Sequence, residues 1–123
     1  MGSIFDDFFK KGQENTEVGT VEYINERQTG VDKDKISLKV FGRVQGVGFR
    51  FTTKQAADEI GVTGIVRNEP DGSVYSEAIG TSEQIDKFID AVSKGPSPSA
   101  KVDKVVVKFD QNIEEKSNFS QSN

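Results

Sequence analysis

Residues 36–61 read ISLKVFGRVQGVGFRFTTKQAADEIG, and the order of patterns within them decides the fold. Ile36, Leu38 and Val40 alternate with Ser37, Lys39 and Phe41. That period of two is expected of a strand with one buried face. From Phe51 to Ile60 the pattern is a helix's, with Ala56, Ala57 and Ile60 turned inward and Gly61 where helices commonly stop. Between the two lies Gly42-Arg43-Val44-Gln45-Gly46-Val47-Gly48-Phe49-Arg50. A strand passed to a helix through a short loop opens a β-α-β unit.

The pattern continues downstream. Val62 to Asn68 reads as a second strand and Ser73 to Gly80 as a third, joined by Glu69-Pro70-Asp71-Gly72. In that turn proline presets one dihedral and glycine accepts a positive φ, so the two strands form a hairpin. Ile85, Phe88, Ile89 and Val92 recur at i, i+3, i+4 and i+7, Thr81 and Gln84 have capping-box spacing, and Gly95-Pro96 is the stop. After Ser97-Pro98-Ser99-Ala100, Val102 to Phe109 is a fourth strand with Val105, Val107 and Phe109 on one face. The order β-α-β-β-α-β predicts an α+β, ferredoxin-like sandwich: a four-stranded antiparallel sheet with two helices on one face. Around Asn118-Phe119-Ser120, residues 117–123 carry a weak signal for a short fifth edge strand.

Composition narrows the chemistry. At 123 residues the chain allows one small domain. Leu, Ile, Val and Phe number 33, which excludes wholesale disorder. No apolar run approaches the ~18 residues of a membrane span, and no secretory signal is recognisable, so a cytoplasmic location is expected. Cysteine and histidine are both absent. Disulfides, thiolate nucleophiles, Cys/His zinc sites and a histidine general base are therefore excluded, and any metal site would need carboxylates alone.

The net charge of −4 is unevenly spread: −4 over residues 1–34, +2 over 35–109 and −2 over 110–123. A mildly basic middle between acidic ends argues against nucleic acid as the main partner, since phosphate-backbone binding wants a dense basic surface. Three segments are expected: an acidic, flexible N-terminal extension over 1–34, a folded domain over 35–109 and a polar segment over 110–123. Within the extension, Ile4, Phe5, Phe8 and Phe9 share one face of a short helix. They are either a docking peptide or a fraying terminus of no consequence, and the marginal stability of so short a helix favours the second.

The loop over 42–50 has three glycines, two arginines and no acid. Such a junction lets successive backbone N–H groups converge, and the helix after it adds its unsatisfied N–H groups and the positive end of its dipole. Arg50 falls at the helix start, where a guanidinium grips an oxyanion through two parallel contacts. The loop reads either as a phosphate cradle or as a glycine-rich turn beside a surface arginine, and composition alone leaves both open. Asn68 likewise reads as a site residue or as the strand-end asparagine that starts the Pro-Asp-Gly turn. Arg43, Asp58, Glu59, Lys104 and Lys108 read as solvated side chains, and Tyr75 as a half-buried sheet residue.

Val40 to Arg50 resembles the signature of the acylphosphatase family. A second family signature has its counterpart in Gly64-Ile65-Val66-Arg67-Asn68-Glu69-Pro70-Asp71-Gly72-Ser73-Val74. Ser93 to Pro96 with Ala100-Lys101-Val102 is similar to the family's helix-to-strand connection. The resemblance covers about residues 35–109. It implies metal-independent hydrolysis of the carboxyl-phosphate bond of small acyl phosphates, to carboxylate and inorganic phosphate, with no cofactor. It implies that the backbone N–H groups of Gln45, Gly46, Val47, Gly48 and Phe49 and the side chain of Arg50 hold the phosphoryl group, and that Asn68 positions the attacking water. Phosphate is then both product and inhibitor, and the chain is expected to be a monomer with no nucleic-acid or membrane partner. The alternative is a non-catalytic acylphosphatase-like module that binds an anion such as carbamoyl phosphate. An RNA-recognition reading shares the element order, but it wants exposed aromatics on the central strands, and Ser73 to Ile79 offers only Tyr75 beside an acid.

Overall fold

The computed structural model describes residues 18–122. Its elements are β1 (Thr20–Tyr23), β2 (Asp34–Arg43), α1 (Phe49–Ile60), β3 (Thr63–Asn68), β4 (Val74–Gly80), α2 (Ser82–Ser93), β5 (Lys101–Phe109) and β6 (Phe119–Ser122). The six strands form one sheet in the order β1-β5-β2-β4-β3-β6. The β2·β4, β2·β5 and β3·β4 pairs are antiparallel, which is the expected ferredoxin-like centre. Both edge strands add in parallel, β1 to β5 and β6 to β3. The sheet is therefore mixed and six-stranded, where the sequence predicts an antiparallel sheet of four or five.

Alternation places the core. Ile36, Leu38 and Val40 of β2, Val66 of β3, Val74 and Ala78 of β4, and Val105 and Val107 of β5 are each at most 1% exposed. Against them α2 packs Ile85, Phe88, Ile89 and Val92, the four residues its periodicity selects. Its capping box is present: Thr81 Oγ1 accepts from the Gln84 N–H at 3.1 Å, and Gln84 Oε1 accepts from the Thr81 N–H at 2.9 Å. At the far edge Phe119 of β6 is buried against Phe88, with ring centroids 5.6 Å apart. On the uncovered face, Phe41 lies under Lys39 and Lys104, and Tyr75 under Arg67. Burial, then the hydrogen bond Tyr75 donates to Glu77, pushes the Tyr75 phenol up to about 12.

Within the stretch expected as a loose extension, the described residues from 18 onward include a strand of the sheet. Thr20 to Tyr23 pairs with Lys104 to Val107, and the Ile24 N–H donates to the Val107 carbonyl. Asn25 then imitates a further strand residue: its Nδ2 donates to the Phe109 carbonyl at 3.0 Å, and its Oδ1 accepts from the Phe109 N–H at 2.8 Å. Tyr23 stacks on the Phe109 ring, and the Arg27 guanidinium lies 5.3 Å from its centre. The Ile4, Phe5, Phe8 and Phe9 reading lies outside the described residues.

Arg27 closes this connection. Its Nε reaches Asp34 at 2.6 Å and its Nη2 reaches Asp86 on α2 at 2.7 Å. The Asp34 side chain is only 3% exposed, so removing the guanidinium strands a buried carboxylate. Arg27→Ala is expected to destabilise the fold by about 2 kcal/mol, below the full cost of breaking a buried pair because Arg27 is itself a third exposed. A denaturant titration of the two proteins measures it.

Candidate active site

The site begins where β2 leaves the sheet. The β2·β5 register shifts between Phe41 and Gly42. A side chain at Gly42 would meet the Lys101 carbonyl at 2.2 Å, so this approach of the two backbones requires glycine. Beyond the bulge the chain rises into residues 44–48. Gly46 and Gly48 both adopt left-handed backbone, with φ of 75° and 79°. That conformation is natural to glycine and rare for other residues.

Gly48 is the N-cap of α1, which has no side-chain capping bond and no acid in its first turn. The first N–H groups of a helix have no acceptor within it. At α1 they are left uncapped beside Arg50, and the helix dipole adds positive potential there. Thr52 turns back, its N–H and hydroxyl both donating to the Gly48 carbonyl at 3.1 and 3.0 Å.

Two side chains brace the loop from beneath. Gln45 Nε2 donates to the carbonyls of Glu69 and Ser73, at 2.9 and 2.8 Å. This ties the loop to the β3–β4 turn directly after Asn68. Within that turn Asp71 accepts from the hydroxyl and N–H of Ser73, and these bonds, ahead of the Lys39 ion pair, lower the Asp71 carboxyl to about 2. Ser97, 4% exposed, donates its hydroxyl to the Val47 carbonyl from the α2–β5 connection. Neither tie is legible in sequence, because the partners stand 24 to 50 residues apart.

Arg50 is half-buried in the first turn of α1. Its Nη1 donates to the Ser122 carbonyl at 2.9 Å, which uses one of the five guanidinium N–H donors. Ser122 lies opposite Arg67 in the β3·β6 ladder, one residue before Asn68. Strand β6 thus connects the arginine with the end of β3. Along β3, Gly64, Val66 and Asn68 share a face by the two-residue period, and Gly64 and Val66 are buried on the helix-covered side. Asn68 therefore stands on the side of the sheet that carries α1, with its side-chain oxygen buried.

The structure thus places the loop over 45–49 and Arg50 at the start of α1, and ties both to the strand end that carries Asn68. A hollow of about 100 Å³ opens among Val44, Gly46, Gly48, Arg50 and Gln121. From Arg43 to Ala57 the chain has no acidic residue. Among the described residues no three acidic side chains converge on one point.

A family model described as acylphosphatase matches residues 36–121, a span that holds the loop, Arg50, Asn68 and β6. The chain belongs to the acylphosphatase family. It is 56% identical over 71 residues to an acylphosphatase of Latilactobacillus sakei, a stretch covering 58% of this chain and 77% of that one. To an acylphosphatase of Enterococcus faecalis it is 46% identical over 86 residues, covering 70% and 94%. Among solved structures it is similar to the acylphosphatase from Bacillus subtilis, with a TM-score of 0.70 at 36% identity, covering 73% of this chain and 99% of that chain. Strand β1 lies outside the span matched to the acylphosphatase model.

Gln45→Ala removes both ties to the turn at once. At about 1 kcal/mol for each hydrogen bond, it should lower stability by about 2 kcal/mol. As the loop loosens, inhibition by phosphate should weaken severalfold. A thermal melt and an inhibition series on the same preparation check the two effects.

Proposed function

We propose that the protein hydrolyses the carboxyl-phosphate bond of small acyl phosphates without a metal or other cofactor. The observation that carries this is the meeting, within the family-matched span, of an uncapped helix N-terminus, a left-handed glycine loop and Arg50. The N–H groups of Gln45, Gly46, Val47, Gly48 and Phe49 take the phosphoryl oxygens, and the Arg50 guanidinium neutralises the charge that remains. Asn68 orients a water through its side-chain amide. The water oxygen bonds to phosphorus as the phosphorus–oxygen bond to the acyl group breaks. The carboxylate leaves with the bonding pair, and the water's proton is released to solvent.

The residue types suit that chemistry. A carboxylate is a good leaving group, so neither a strong base nor a covalent nucleophile is needed. Positioning and charge stabilisation supply the acceleration, and a chain without histidine or cysteine can supply both. Product phosphate occupies the same cradle and inhibits competitively. The reading takes the protein as a cytoplasmic monomer, its folded unit running from β1 through β6. Among the described residues no helix is long and apolar enough to cross a membrane. A purely anion-binding module is less supported, because the acylphosphatases matched are spanned over most of their length.

The test is hydrolysis of benzoyl phosphate by the full chain in the presence of a chelator. Turnover with competitive inhibition by phosphate supports the reading. Phosphate binding without turnover in the folded protein would favour the anion-binding module instead.

A further inference from the structure

We propose that Phe51 seats the acyl group of the substrate, so that the site prefers acyl phosphates whose acyl group is apolar or aromatic. This rests on the hydrolytic function proposed above and specifies its substrate class.

Five large apolar side chains are exposed among the described residues: Val18, Tyr23, Ile24, Val31 and Phe51. The first four lie in β1, just before it, or in the connection from β1 to β2. Phe51, 57% exposed, is the one within the family-matched span. Single exposed hydrophobes are ordinary on a protein surface, so position is what distinguishes this one. Helix α1 buries Phe49, Thr53 and Ala57 and has no packing use for an aromatic at 51. Phe51 instead lines the hollow that Gly46, Gly48 and Arg50 form, the groups that take the phosphoryl oxygens.

Size then separates the two halves of the substrate. The hollow's ~100 Å³ is about three water molecules' share of liquid volume. That is the scale of a phosphoryl group. With phosphorus held against the loop, the acyl group emerges at the rim, where Phe51 offers the apolar surface. An aromatic contact of ordinary strength there amounts to about 3–10-fold in affinity. A small acyl group such as acetyl gains little from it.

Initial rates with benzoyl phosphate and acetyl phosphate, together with the phosphate inhibition constant, are to be measured for wild type, Phe51→Ala and Phe51→Leu. Phe51→Ala should raise KM for benzoyl phosphate about 3–10-fold. Its KM for acetyl phosphate and its phosphate inhibition constant should stay within about twofold, and Phe51→Leu should fall between Phe51→Ala and wild type. Parallel losses on both substrates, or no change on either, would overturn the assignment while leaving the hydrolytic function standing. A folded wild type that hydrolyses neither substrate would overturn both.

Discussion

Arg50→Gln is expected to abolish turnover and phosphate affinity together, lowering kcat/KM for benzoyl phosphate by ~10³ or more. Glutamine keeps some length and a hydrogen-bonding end but loses the charge and the planar fork that meets two oxygens at once. Among the described residues, the cations nearest in sequence are poorly suited to replace it. Arg43 is exposed at the end of β2, and Lys54, a helical turn further on, is paired with Asp58 at 2.7 Å. The fold should survive, because the structural loss is one half-exposed hydrogen bond to the Ser122 carbonyl, about 1 kcal/mol. The result to look for is a folded protein, melting within several degrees of wild type, that neither hydrolyses the substrate nor responds to phosphate. Retained phosphate inhibition in the mutant would place the anion elsewhere.

Asn68→Ala is expected to behave differently. It should lower kcat by ~10²–10³, the scale of losing one oriented polar group at a reacting centre. The phosphate inhibition constant should move by no more than about twofold, because the loop and Arg50 are untouched. The residue's position supports this separation. Asn68 ends β3 on the helix-covered side, whereas the loop comes from the β2–α1 connection. The two are held in register by the Gln45 side chain, whose bonds go to the main chain of Glu69 and Ser73 and not to Asn68. Full activity in Asn68→Ala would remove the water-positioning role. Equal losses in turnover and phosphate affinity would instead make Asn68 part of the cradle.

The elements that carry these groups were legible in the sequence because each has a local cause. The alternation of β2, the i, i+3, i+4, i+7 stripe and capping box of α2, and the Pro-Asp-Gly turn are set within a few residues. The sequence pattern starts α1 two residues late, at Phe51, where the structure starts it at Phe49. Its N-cap is a left-handed glycine with no capping side chain, so the usual Ser, Thr, Asp or Asn marker is missing. That missing cap is what leaves the helix N–H groups available to an anion. Strand β1 was illegible for another reason. In Thr20-Val21-Glu22-Tyr23 only Val21 is even partly buried. Its order comes from β5, from Asn25 on the Phe109 backbone and from Arg27 on Asp34 and Asp86. Most of these are contacts between residues far apart in the chain. The roles of Arg50 and Asn68 came from the resemblance of two long motifs, since composition alone left both positions with an ordinary structural reading.

The most direct test of the central claim is to follow the isotope when benzoyl phosphate is hydrolysed in water enriched in heavy oxygen. A loop that holds the phosphoryl group while Asn68 delivers water to it predicts that the label enters inorganic phosphate and that benzoate stays unlabelled. Label in benzoate would mean attack at the carbonyl carbon, and would contradict the assignment of this site to phosphoryl transfer.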